Sequence, residues 1–124
     1  MNGRFVRFLG SCLALAFLFS CSSTPAELVA KHTKRGDEFA QKEKYKEAVI
    51  EYKNAVKAGP KDAALHFKLA KAALEARDFP TAFQELQKTV ELDPNNYEAQ
   101  AKLGEIYVAA ATDAAEGQVE RKSV

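Results

Sequence analysis

Two kinds of apolar pattern divide this chain. From Leu9 to Phe19 the apolar residues run together, broken only by Gly10, Ser11 and Cys12. From Val29 onward they recur at intervals of three and four, the period of a helix with one buried face. "AALHFKLAKAALEA" carries Ala63, Phe67, Ala70 and Leu74 on one row, with Leu65, Leu69 and Ala73 beside it. "AFQELQKTVEL" follows with Phe83, Leu86 and Val90. No stretch alternates at the period of a strand, so the pattern predicts an all-α chain built of short amphipathic helices.

The helical part repeats itself. "KYKEAVIEYKNAVKAGPKD" and "DFPTAFQELQKTVELDPNN" align without gaps at an offset of 34 residues. Tyr45 meets Phe79, Ala48 meets Ala82, Tyr52 meets Leu86, Val56 meets Val90 and Pro60 meets Pro94. Upstream, Gly36, Ala70 and Gly104 share one position, and Phe39, Ala73 and Tyr107 another. The small residues, with Ala48 and Ala82, let two helices approach closely. Asp62, Asp78 and Asn96 stand where N-caps belong. Pro60 and Pro94 fall between units, and Pro80 in a first helical turn, where a missing N–H costs little. Thr24-Pro25-Ala26-Glu27 has the form of a capping box that opens the first helix.

A helix-turn-helix unit of this length and pattern resembles the tetratricopeptide repeat (TPR). The resemblance rests on Leu69-Ala70, Phe79, Ala82, Leu86 and Pro94, and on the linker "ELDPNN". It implies a solenoid with two full repeats, 27–62 and 63–96, and a third leading helix or capping helix over 97–112. A tail occupies 113–124, where Asp113 stands in an aromatic position and Glu116 in a small one. In the first unit Arg35 replaces an apolar residue and His32 an aromatic; a terminal repeat has one uncovered face and tolerates such a charge.

The contiguous apolar run has a different reading. Arg4 and Arg7 precede it without an acid, and it is too short for the roughly 20 residues of a bilayer span. Leu18, Phe19, Ser20 and Cys21 resemble the end of a bacterial lipoprotein signal. That resemblance implies cleavage after Ser20 and acylation of Cys21, with Ser22 directing the product to the outer membrane, facing the periplasm. Segment 21–26 is then a lipid-bearing residue and a short linker. Three peptide steps separate Cys21 from Thr24, at most about 10 Å, which would hold the first helix at the headgroup layer. Lys31, Lys34 and Arg35 would then flank anionic lipid, or else form a solvated charged face.

Charge and composition exclude more than they assign. Loss of residues 1–20 removes Arg4 and Arg7 and leaves 16 basic against 17 acidic side chains, no general attraction for nucleic acid. Cys12 leaves with the signal, so no disulfide or thiolate cluster forms. His32 and His66 are repeat equivalents about 10 Å apart, too distant for one metal; no cofactor beyond the lipid is expected. Glu47–Glu51 and Glu85–Lys88 read as ordinary surface spacing. No nucleophile elbow or glycine-rich phosphate loop is present, and no enzyme activity is expected.

TPR arrays take peptides or partner helices in a concave groove lined by the first helix of each pair. The resemblance places Thr33, Asp37, Ala40 and Gln41 there from the first unit. It adds Phe67, Lys71, Leu74 and Glu75 from the second, and Ala101, Glu105 and Val108 from the third. Phe67 and Leu74 either offer an apolar patch to a partner helix or pack against a neighbouring repeat. Thr33 and Asp37 occupy two places of the Lys/Asn clamp that holds a C-terminal carboxylate in chaperone-binding TPRs, so that clamp is absent. A lipid-anchored scaffold for a partner protein or peptide follows. The lipid box, short linker and immediate repeats resemble the N-termini of large TPR lipoproteins of exopolysaccharide export and PEP-CTERM sorting, and pilus-assembly TPR lipoproteins as well. The alternative is an N-terminal fragment of such a protein, with Ile106 and Tyr107 partly uncovered; in a finished domain, 109–117 instead extends the last helix as a cap.

Overall fold

The computed structural model describes residues 23–122. Those residues form five helices: α1 Pro25–Gln41, α2 Tyr45–Ala58, α3 Ala63–Glu75, α4 Phe79–Leu92 and α5 Tyr97–Lys122. Consecutive helices pack on one another, α1 on α2, α2 on α3, α3 on α4 and α4 on α5. This is the all-α solenoid of stacked hairpins that the 34-residue offset predicts. Leu18 to Cys21, and with them the signal and lipidation readings, lie outside the described residues.

Local chemistry sets the helix starts. Thr24 accepts from Glu27 N–H while Glu27 accepts from Thr24 N–H, the complete capping box. Asp62 accepts from Ala64 and Leu65, Asp78 from Thr81, and Asn96 from Ala99. Each such cap contributes about 1 kcal/mol. The turns within the two hairpins share a feature the composition hides. Glu43 and Arg77, 34 residues apart, both adopt left-handed backbone, φ 57° and 59°. In each, the next N–H reaches back into the helix: Lys44 to the Phe39 carbonyl, Asp78 to that of Ala73.

Two apolar clusters run through the stack. The first joins Ala48, Val49 and Tyr52 to Leu69, Ala72, Ala73 and Ala82; the second joins Ala70, Leu86 and Ala99. Leu69 and Leu86 are almost wholly enclosed, worth about 1.5–3 kcal/mol each. Close helix approach explains the small residues. A Cβ built on Gly36 would lie 2.5 Å from Tyr52 Cε1. Arg35, in an apolar position of the repeat, stays half exposed and pairs with Glu51, because no repeat precedes α1 among the described residues.

The far end differs from expectation. The helix over 97–112 does not stop there: α5 continues to Lys122, through most of the segment read as a tail. Ala-rich sequence without proline gives it no reason to turn. Ile106 packs against the second cluster, whereas Tyr107 keeps 55% of its surface exposed, with its ring edge-on to Phe83 at 5.5 Å.

Candidate partner-binding cleft

The first helices α1 and α3 enclose an open cleft of about 640 Å³. Thr33, Asp37 and Gln41 line it from α1, Ala64 and Lys68 from α3. Helical spacing produces this set: 33, 37 and 41 fall on one stripe of α1, 64 and 68 on one stripe of α3.

A short polar network forms its floor. Lys68 Nζ and Tyr52 Oη both donate to Asp37 Oδ1, each at 2.6 Å. Burial raises the Asp37 carboxyl, but the hydrogen bonds from Lys68 and Tyr52, with the Lys68 charge, outweigh it and hold it below the ordinary value. Burial first, then the bond to Asp37, push the Tyr52 phenol well above its ordinary value. Thr33 Oγ1 is enclosed and makes no hydrogen bond. A buried hydroxyl without a partner is costly.

The remaining groove residues sit differently. Phe67 and Leu74 are both half-buried and pack against the second and first clusters respectively, so the packing alternative describes their contacts. Lys71 Nζ lies 4.7 Å above the Phe67 ring and covers its outer face. Ala40 also packs on the first cluster, while Glu75, Ala101, Glu105 and Val108 are exposed. Sequence reasoning omitted several cleft residues, among them Lys34 and Glu38 of α1 and Ala64, Leu65 and Lys68 of α3; the most consequential is Lys68, which bonds Asp37. Its place four residues after Ala64, on the α1 side of α3, was the available signal.

The histidines have a structural role. His32 Nδ1 meets Glu51 Oε2 at 2.7 Å, and His66 Nδ1 meets Glu85 Oε2 at 2.6 Å. Glu51 and Glu85 are repeat equivalents too, so the same pair occurs twice. His66 Nε2 also faces the Pro60 carbonyl at 3.0 Å, and Gln100, its equivalent in the third unit, donates to the Pro94 carbonyl at 2.6 Å. The residue at this position thus ties the second and third units each to the linker before it. Glu51 is buried and Glu85 half-buried, not the surface charges their spacing suggests, and Lys88 pairs with Glu91 instead. Among the described residues no three His, Cys, Asp or Glu side chains come together to hold a metal.

Comparison with known proteins agrees with this architecture. A tetratricopeptide repeat family model matches residues 33–97 and again 67–123. The chain belongs to the tetratricopeptide repeat family, whose members are protein-interaction modules. An Hsp70-Hsp90 organizing protein of Triticum aestivum is 26% identical over 80 residues, 64% of this chain and 14% of that protein. The chain therefore spans only a small part of that relative's length.

Proposed function

We propose that this chain is a lipid-anchored scaffold of a bacterial envelope assembly, probing for a partner segment with the cleft between α1 and α3. The observation that carries this is the open cleft between the two leading helices, lined by Thr33, Asp37 and Gln41 from α1 and by Ala64 and Lys68 from α3. The wheat relative's name joins two partners, Hsp70 and Hsp90. That precedent supports adaptor work in general. The cleft is less suited to a terminal carboxylate, because Asp37 stands in it and already engages Lys68.

The anchor rests on Leu18 to Cys21 and on the capping box at Thr24, which starts the first helix three residues after Cys21. No described helix is long and apolar enough to cross a membrane. In this reading acyl chains on Cys21 supply the attachment, and two or more hold stably. Export, pilus or polysaccharide machinery in the outer membrane is the setting.

The test is capture from membranes with Cys21 intact, compared with an Ala64→Arg and a Gln41→Arg variant. Both positions are exposed on the cleft rim, so each arginine obstructs the cleft and leaves the fold. Partner recovery should fall in both. Equal recovery removes the cleft from the proposal. Mass spectrometry of the mature chain checks the anchor separately, and an unmodified Cys21 ends that half.

A further inference from the structure

The 34-residue repeat gives three equivalent small residues, and their surroundings differ. Gly36 is covered by Tyr52, and Ala70 shares a cluster with Leu86. At Gly104 a built Cβ meets nothing within 4 Å. The third equivalent of Tyr52 and Leu86 is residue 120, which lies in the same helix as Gly104 and cannot fold back over it. Around this open slot α5 carries a second apolar stripe. Tyr97, Ala101, Gly104, Val108 and Ala111 follow one another at helical spacing, all exposed, with Tyr97 at 73% and Val108 at 65%. This stripe lies opposite Ala99, Leu103 and Ile106, which pack on the second cluster. It contains no charged residue, and a helix apolar on both sides is one that is covered on both.

We infer that a second copy of this chain covers it, α5 against α5 in antiparallel pairing about a two-fold axis midway between Gly104 and Val108. The stripe continues the seam along which α2 covers α1 and α4 covers α3. It is also self-complementary. The hollow at Gly104 and the raised Tyr107 and Val108 lie within about one turn of each other, so a two-fold operation sets each raised pair over the other copy's hollow. An uncharged face meets itself without like-charge repulsion. With two exposed tyrosines per copy, the pair buries roughly 1,000 Å² in total, just under the range of stable specific interfaces. The dimer is accordingly weak and reversible. This contact is remote from the cleft and independent of what the cleft binds.

Sedimentation equilibrium of the full chain, from low micromolar to several hundred micromolar, tests it against Gly104→Lys and Val108→Glu. Both substitutions point into open space in the single copy, and circular dichroism should show the helix content unchanged. The expected result is a reversible monomer–dimer equilibrium for the wild type, weakened at least tenfold in each variant. A wild type that stays monomeric throughout overturns the inference and leaves the stripe to a different protein or a following helix. Equal association of wild type and variants also overturns it, placing the contact elsewhere, for instance on Leu9 to Phe19.

Discussion

The first and second hairpins hold the same contact with different residues. In the first, a glycine on α1 lies under a tyrosine on α2; in the second, an alanine on α3 shares a cluster with a leucine on α4. Each pair fills nearly the same volume, so the helices keep one spacing while the division between small and large partner shifts. The histidine pairs differ in a similar way. Glu51 is shared by His32 and Arg35, whereas His66 is itself shared by Glu85 and the Pro60 carbonyl. What the repeat preserves is the total occupancy of a slot, and single residues are interchangeable only in matched pairs.

The sharpest way to break this equivalence is Gly36→Ala. It makes the first hairpin's small residue that of the second and drives a methyl into the Tyr52 ring. Urea unfolding should show a loss of about 2–3 kcal/mol, at the upper end for overpacking. Adding Tyr52→Leu should recover most of it, since the pair then matches Ala70 and Leu86. Simply additive losses would mean the slots are not equivalent. His66→Ala should cost about 2 kcal/mol, because it strips partners from Glu85 and the Pro60 carbonyl in a site only 7% exposed. His32→Ala should cost about half that, because Glu51 keeps Arg35. Equal losses in the two variants would contradict the different sharing.

Much of this was legible because it is local or periodic. Thr24, Asp62, Asp78 and Asn96 act within three residues of themselves, so their capping is written in adjacent letters. Gly36, Ala70 and Gly104 are visible because the repeat aligns them. The His–Glu pairs span 19 residues and two helices, and Glu51 and Glu85 look like surface acids until the helices close. Their own 34-residue spacing was the clue. In the cleft, Asp37 and Gln41 were assigned from the register. Lys68 was not, because the face that α3 turns to α1 depends on how the two hairpins are rotated. The extension of α5 beyond 112 is legible only as an alternative, and only as far as 117, because the loss of repeat pattern in 113–124 reads as loss of structure, and a helix needs no such pattern.

Smaller effects sharpen the comparison where the two hairpins agree. Glu43 and Arg77 take left-handed backbone without being glycine, which costs about 1–2 kcal/mol each. Glycine's greater freedom in the unfolded chain offsets part of that. Glu43→Gly and Arg77→Gly should therefore each raise stability by about 0.5–1 kcal/mol, and by similar amounts. A loss in either would show that the side chain is doing something else at the turn. Gly104→Ala, measured in dilute solution, should add about 0.5–1 kcal/mol through helix propensity alone. The same substitution thus has opposite signs at Gly36 and Gly104, the difference being whether a neighbour occupies the slot.

The least effect tests why the partner residues go together. Tyr52 brings a hydroxyl that Leu86 lacks, and α1 answers it with Asp37, where α3 has Lys71 in the equivalent place. Lys71 has no hydroxyl to satisfy and lies instead over Phe67. Asp37 is held below its ordinary value of 3.8 in the folded chain. Its contribution to stability is therefore complete above that value and is lost as pH falls through the lower, folded one. Tyr52 is displaced upward from 10.0, so its contribution is complete below that pH and is lost only as pH rises through its higher folded value. In wild type against Asp37→Asn, the stability gap should be constant between about pH 5 and 8 and close on further acidification. Asp78 also titrates low, through its bond to Thr81 and despite partial burial, but it is common to both proteins and cancels. A gap that widens in acid would mean that Asp37 is a liability tolerated for the cleft, and that the hydroxyl of Tyr52 does not require it.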